Sequence, residues 1–279
     1  MKLRKVTAAS AVVLALAVTA TACGGDKKDD AGSSGSGGGK IKIGIKYDQP
    51  GLGLKQPDGS FSGFDVDVAT YVAKQLGYKP SQIEWVETKS ADRENALQRG
   101  DVKFIAASYS ITDERKQKVD FAGPYLLAHQ DLLVKKDSKI SKATDLNGKK
   151  LCSVTGSTSA QNIHDSIAPK ANLRNLPGYS ECLAGLQSGA VDALTTDDSI
   201  LAGYAAQDKY KGQFKLTGLK LSNENYGIGV KKGDTATVNK INKALEQMVS
   251  DKSWDKAVEK NFGADYKNEP APKIGQIVK

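Results

Sequence analysis

The run Lys40-Ile-Lys-Ile-Gly-Ile-Lys46 puts an apolar residue on every second position, the period of a β-strand with Ile41, Ile43 and Ile45 on one face. A loop rich in Gly and Pro follows. Gly63-Phe64-Asp65 then opens a segment in which Phe64, Val68, Val72 and Leu76 recur every four residues and stop at Gly77, which predicts a helix closed by a glycine. Ile83–Val86 reads as a strand, Asp92–Arg99 as a short helix and Val102–Ala106 as a strand. The alternation resumes at Lys149 with a strand over K-K-L-C-S-V, helices from near Ser157 and over Ser180–Ser188, and a strand over Val191-Asp-Ala-Leu194. Such alternation predicts an α/β protein of two lobes built on largely parallel sheets, with ligands at the carboxyl ends of the strands. Leu132-Leu133-Val134 and Tyr226–Val230 are short apolar strands between the two sets, expected as crossings between the lobes. Lobe one is then 40–130 with 226–279, and lobe two is 131–225.

Ahead of this region, MKLRK is followed by an apolar run from about Ala8 to Ala22 that meets Cys23 in A-T-A-C. The run is shorter than the ~20 residues a helix needs to cross a bilayer. Residues 1–22 are expected to be a lipoprotein signal peptide and Cys23 the acylated first residue; the alternative is an uncleaved membrane anchor with an incidental cysteine. Residues 23–39, GGDKKDDAGSSGSGGGK up to its last Gly, have almost nothing apolar to bury and read as a flexible tether. The chain is thus expected outside the cytoplasm, held to the outer face of the membrane by lipid. Its net charge is +8. Loss of Lys2, Arg4 and Lys5 with the signal leaves 37 basic against 32 acidic residues, a mild +5. The lysines sit in ones and twos without arginine clusters or interleaved aromatics, so no nucleic-acid partner is expected. With Cys23 given to lipid, Cys152 and Cys182 form an even pair in an oxidising compartment and are expected to be disulfide-bonded, the alternative being two buried free thiols. His129 and His164 lie at no ligand spacing from them, so neither a metal nor a cofactor is expected.

The chemistry concentrates in Ala106-Ala-Ser-Tyr-Ser-Ile-Thr-Asp-Glu-Arg115, which leaves the carboxyl end of a strand. Ser108 and Ser110 point the same way if extended, and Thr112, Glu114 and Arg115 read as a capped turn that brings the guanidinium back over the two hydroxyls. Two hydroxyls and a planar five-donor fork suit a carboxylate; the bare pattern also fits a solvated arginine in a surface turn. Val154-Thr-Gly-Ser-Thr-Ser-Ala160 is a strand end, a glycine turn and a hydroxyl-rich helix start, either an anion site or ordinary capping by Ser157 or Thr158. Val191-Asp-Ala-Leu-Thr-Thr-Asp197-Asp198 delivers a carboxylate at a strand end. There Asp197 can neutralise an ammonium, while Asp198 can cap the helix that follows. One carboxylate facing one guanidinium is what a zwitterion needs, because either charge buried unpaired costs several kcal/mol.

Taken together, G-F-D-V-D-V-A (63–69), S-x-S-I-T-x-E-R (108–115), F-A-G-P-Y (121–125), G-S-T (156–158), D-A-L-T-T-D (192–197) and N-Y-G-I-G-V (225–230) resemble the polar amino-acid family of ABC-transporter solute-binding proteins, family 3. They occur in the family's order from Lys40 to Phe262, and within the family the chain is most similar to glutamate-binding lipoproteins of Gram-positive bacteria. The resemblance implies a two-lobed periplasmic-binding-protein-like fold of type II with a two-strand hinge, and a monomer that hands an amino acid to an ABC permease. It also implies Arg115, Ser110 and the Thr158 amide on the α-carboxylate, and Asp197 with Ser108 on the ammonium. Family members for cationic or aromatic ligands carry aromatic residues where this chain has Gln49 and Ser90, which counts against lysine or arginine. Lys46 and Arg93 stand where acidic-amino-acid binders place cations for the distal carboxylate, and Tyr179 adds a hydroxyl; the alternative for Lys46 and Arg93 is plain surface charge. L-glutamate is therefore the expected ligand, with glutamine, aspartate or asparagine as alternatives. A dehydratase-type enzyme on the same fold is the minor alternative. Catalysis is not expected, since Glu114 is read as part of the turn and no histidine lies in these motifs.

Overall fold

The computed structural model describes residues 39–262 and 266–279. The expected signal peptide, Cys23 and the tether as far as residue 38 lie outside the described residues. β1 (Ile41–Ile45) leads into β2 (Asp48–Gln49), β3 (Gly53–Lys55) and β4 (Phe61–Ser62), a small antiparallel sheet in the stretch read from sequence as loop. Then come α1 (Phe64–Gln75), β5 (Ile83–Glu87), α2 (Arg93–Arg99), β6 (Phe104–Ile105), α3 (Asp113–Lys118) and β7 (Val119–Lys135). The second set is β8 (Lys150–Val154), α4 (Thr158–Asn162), β9 (Asn172–Leu176), α5 (Tyr179–Ser188), β10 (Ala193–Asp197), α6 (Asp198–Ala205) and β11 (Phe214–Leu216). β12 (Asn223–Lys231), α7 (Thr235–Ser250) and α8 (Ser253–Phe262) follow.

The strands line up as β5-β1-β6-β12-β7-β10-β8-β9, with β11 also on β7. Pairing is parallel at the two outer ends, β5-β1-β6 and β10-β8-β9. It is antiparallel in the middle, where β12 pairs with β6 and β7, and β10 and β11 pair with β7. The sheets are therefore mixed rather than largely parallel, because the two strands that join them run in opposite directions. The first joining strand is also much longer than the Leu132–Val134 segment read from sequence: those residues are the tail of the 17-residue β7. Its first part pairs with β12 up to His129, and Gln130–Val134 pairs with β10. Pro124 interrupts the pattern in the chain because it has no N–H to give to a ladder, and the β7–β12 register skips 123–125 accordingly.

α1 forms because Phe64, Val68, Ala69, Val72 and Ala73 make one buried stripe while Lys74 and Gln75 stay outside. The stripe covers Ile41, Ile43 and Phe104 of the first sheet and meets Leu245 and Trp254 of the C-terminal helices. Phe64 packs edge-on to Trp254 at 5.9 Å, and Trp254 donates its indole N–H to the Tyr125 carbonyl at 2.8 Å. A fully buried Phe, Leu or Val contributes about 1.5–3 kcal/mol, so this stripe fixes the helix against the strands whose ends bear the site. In the second set, Cys152 of β8 and Cys182 of α5 are joined by a disulfide, with Cα atoms 5.6 Å apart. Among the described residues no helix is long and apolar enough to cross a membrane.

Candidate functional site

The carboxyl ends of β5, β6, β8, β9 and β10 converge on a narrow cavity of about 10 Å³. From the first sheet its wall takes Ser90, Arg93, Ser108, Ser110 and Arg115. From the second it takes Ser157, Thr158, Ser159, Tyr179, Asp197 and Ile200. Of the ligand-binding residues expected from the sequence, Lys46 alone is off this wall; it lines the adjoining cavity beside Tyr179 and donates from Nζ to Ser90 Oγ at 2.8 Å.

Arg115 is not solvated. Thr112 Oγ1 accepts the Arg115 amide at the start of α3, which turns the side chain inward. The guanidinium donates to the Ser110 carbonyl at 2.8 Å and, across the cavity, to the Gly156 carbonyl at 2.9 Å. Its Nε lies 3.6 Å from Glu94 Oε1, and its plane lies over the Tyr109 ring. Burial, with Arg93 nearby, pushes its pKa down to about 10. Glu114 is not part of this arrangement: it is exposed and pairs with Lys118.

Ser108 and Ser110 do not share a wall by being extended. Ser108 has φ +43°, in the left-handed region that non-glycine residues seldom adopt. Asp65 of α1 holds it there, accepting the Ser108 amide on Oδ2 at 2.8 Å and the Tyr125 hydroxyl on Oδ1 at 2.6 Å. Burial raises the Asp65 carboxyl to about 6, against the pull of those two donors. The Ser108 hydroxyl in turn donates to Gln49 Oε1 at 2.9 Å. Asp65 carries no expected role in the sequence, and Gln49 enters there only as a position that counts against a lysine or arginine ligand. An acid on the stripe Val68–Ala69–Val72 was the available signal for Asp65, because an acid on a buried face needs donors.

Arg93 is 2% exposed. It donates to the Ala107 and Ser108 carbonyls at 2.9 and 3.3 Å and stacks on Tyr109 at 4.0 Å. Lys46, also buried, is held well below its ordinary pKa by burial and by Arg93, with Asp48 pulling the other way. Neither is plain surface charge. Arg93 Nε and Gln49 Nε2 are buried without a partner among the described residues.

On the opposite wall, Ser157 caps α4 through the Ala160 amide, and Thr158 Oγ1 donates to Glu224 of β12 at 2.9 Å. Gly156 has φ +78°, and a Cβ there would lie 2.8 Å from Ala91 Cα, so the two walls meet backbone to backbone. Asp197 accepts from the Tyr226 hydroxyl, with Ser159 Oγ 3.4 Å away. Burial first, and then the charge of Glu224, lift its carboxyl well above the usual range. Asp198 does more than start α6: besides the Ser199 amide, its Oδ1 takes the His129 amide and the Tyr266 hydroxyl at 3.1 Å each. His164 pairs with Asp165 at the surface. Among the described residues no group of three His, Cys, Asp or Glu is placed to hold a metal.

A buried guanidinium fork and a buried acid line one cavity at strand ends between two sheets, an arrangement able to accept a carboxylate and an ammonium. Residues 41–264 match the bacterial extracellular solute-binding proteins, family 3. The chain belongs to that family. This family 3 protein is 46% identical to the glutamate-binding protein GluB of Corynebacterium efficiens over 94% of its own length and 92% of that protein's. It is 43% identical to the ABC transporter glutamine-binding protein GlnH of Bacillus subtilis, covering 79% and 80% of the two chains. Among solved structures, an ancestral arginine-binding protein bound to arginine superposes with a TM-score of 0.74 at 38% identity, covering 81% of this chain and 99% of that one. The fold is thus the two-lobed type II binding-protein fold, and the chain is an extracytoplasmic transport receptor, not an enzyme.

Proposed function

We propose that this protein binds L-glutamate between its two lobes, 40–130 with 226–279 and 131–225, and presents the closed complex to an ABC permease. The observation that supports glutamate is the balance of charge: Arg115, Arg93 and Lys46 are buried on one side of the cavity and Asp197 on the other. The distal carboxylate of glutamate gives these three cations a second anion to face, which the amide of glutamine does not. Arg115, with Ser110 and the Thr158 amide, takes the α-carboxylate. Asp197 with Ser108 takes the ammonium. Lys46 and Arg93 take the distal carboxylate, aided by Ser90 and the Tyr179 hydroxyl. The protein works as a monomer, held to the outer face of the membrane through lipid on Cys23 once residues 1–22 are removed, with residues 23–39 as the tether. It uses no cofactor.

Calorimetric titration of the ligand-stripped protein with glutamate, aspartate, glutamine, asparagine, arginine and cystine tests the assignment. Glutamate is expected to bind tightest, and glutamine or arginine binding tenfold tighter than glutamate rules out the distal roles of Lys46 and Arg93. Anchoring is read by mass spectrometry of the protein from its native membrane: a diacylglyceryl mass on Cys23 is expected, and an unmodified Cys23 rejects it.

A further inference from the structure

We propose that Glu224, on the joining strand β12, is a second acid behind Asp197 of the ammonium subsite, off the cavity wall, and that Asp197 beside it holds a proton before ligand enters and gives it to solvent when the ammonium arrives. The inference rests on the reading of the cavity as an amino-acid site, and it goes beyond that reading by adding a residue and a proton.

The geometry ties the two acids together twice. Along α4, consecutive hydroxyls reach them, Thr158 Oγ1 to Glu224 Oε2 at 2.9 Å and Ser159 Oγ toward Asp197 Oδ1 at 3.4 Å. Along β12, Glu224 and Tyr226 are two residues apart and so face the same way, and the Tyr226 hydroxyl donates to Asp197 Oδ2. Glu224 is 4% exposed and Asp197 3%, so neither charge is screened by water. Ser222 Oγ, at 2.7 Å from Glu224 Oε1, is the only further donor to that carboxylate among the described residues. The other charged and titratable groups around the pair are Asp198 beside it, Tyr179 and Tyr266 facing Asp197, and Arg115, whose charge Glu224 supports. Arg115 is already committed to the Ser110 and Gly156 carbonyls.

A carboxylate buried in a dry site with a second acid nearby and no cation paired to it resists ionising. Asp197 shows the consequence, being pushed well above the ordinary carboxyl range by burial and by Glu224. Its Oδ2 is engaged by Tyr226, which leaves Oδ1 to carry the proton. An arriving ammonium brings a full positive charge and its own three N–H donors, so the proton on Oδ1 departs to solvent and Asp197 becomes a carboxylate against the cation, with Glu224 behind it. The ligand keeps all its protons, and the net change is one proton released at this subsite. Affinity therefore rises with pH through the Asp197 titration, by up to about tenfold per pH unit.

Lys46, held low by its surroundings, can take up a proton when a distal carboxylate binds, so total proton counts mix two events. Infrared difference spectroscopy at pH 7 separates them because it sees the carboxyl itself. Adding glutamate to the wild-type protein is expected to remove one protonated-carboxyl carbonyl band and to add carboxylate intensity. Asp65, raised to about 6, is mostly ionised at that pH. In Glu224→Gln the ligand-free band is expected to titrate away at a lower pH than in wild type; in Glu224→Asp it is expected to titrate as in wild type. Calorimetry in buffers of different ionisation enthalpy should show Glu224→Gln releasing fewer protons per glutamate than wild type. Binding by the wild type with no loss of a carboxyl band overturns the proposal even if no variant folds, and so does a band in Glu224→Gln that titrates as in wild type. If no amino acid binds at all, the proposed function falls and this inference with it.

Discussion

Arg115→Ala tests the clamp most directly. In the structure the guanidinium is committed on both sides of the cavity, to the Ser110 carbonyl at 2.8 Å and the Gly156 carbonyl at 2.9 Å, with Glu94 3.6 Å behind it. A carboxylate bound beside it is buried with it, so the substitution leaves that carboxylate desolvated and without its cation. Breaking one side of a buried charged pair costs about 3–5 kcal/mol. On that basis affinity should fall roughly 150- to 5,000-fold. Because every α-amino acid has the same carboxylate, glutamate and glutamine should lose affinity by the same factor. The two carbonyls also lose a donor, which costs the fold about 1–3 kcal/mol if water does not replace it. The assay is calorimetric titration of the variant with both ligands, alongside a thermal melt to show that it is folded. Affinity within tenfold of wild type for both ligands refutes the α-carboxylate role. A loss confined to glutamate refutes it differently, by moving Arg115 to the distal carboxylate.

Lys46→Met removes one charged bond and should weaken glutamate by about ten- to a hundredfold while glutamine changes less than about threefold; equal losses in titration argue against a distal role. Gly203 of α6 lies so close to Pro50 that a Cβ would sit 1.9 Å from the Pro50 carbonyl oxygen. Gly203→Ala should therefore bar full closure, lowering affinity by roughly tenfold or more with an unchanged melting temperature, and a wild-type affinity would show that this contact is not made on binding. Reduction of the Cys152–Cys182 bond, which spans 30 residues, should cost about 2–5 kcal/mol in denaturant unfolding; non-reducing mass spectrometry should find the oxidised protein two hydrogens lighter. Asp65 holds its proton more tightly folded, at about 6, than unfolded, at 3.8. Its contribution to stability is thus present below pH 4 and is lost as pH rises through 6, a change on the order of 2–3 kcal/mol. Unfolding curves at pH 4 and pH 7 should show a stability loss smaller by that amount in Asp65→Asn than in the wild type, the buried Asp197 contributing a slope of the same sign to both.

Much of the site was legible because it sits at strand ends. A strand that stops at a turn of small polar residues has to aim something outward, which marks Arg115, Thr158 and Asp197 as candidates, while their ligand roles are what the family resemblance implies. What was not legible depended on partners distant in sequence. Ser108 looks extendable in the chain, and only the Asp65 carboxylate, 43 residues earlier, turns it into a left-handed corner. Glu224 and Tyr226 read as ordinary members of a strand, since nothing near them in sequence reveals that α4 and β10 pack on that face. In the sequence the first crossing reads only as Leu132–Val134, whereas β7 pairs with β12 from Val119, interrupted at Gly123-Pro124 and resuming beyond it. β2–β4, strands of two or three residues, are too short to leave a periodic trace.

The length of β7 bears on how the receptor opens. The halves are joined by two strands that stay hydrogen-bonded to each other from Val119 to His129 and from Asn223 to Lys231, and a ribbon of this kind behaves as a spring rather than a string. Opening has to bend and twist it, so its stiffness sets what fraction of unliganded molecules is ready to bind. Apparent affinity scales with that fraction. Residues such as Ala128 or Asn223, which never meet the ligand, are thereby as able to tune uptake as those that do.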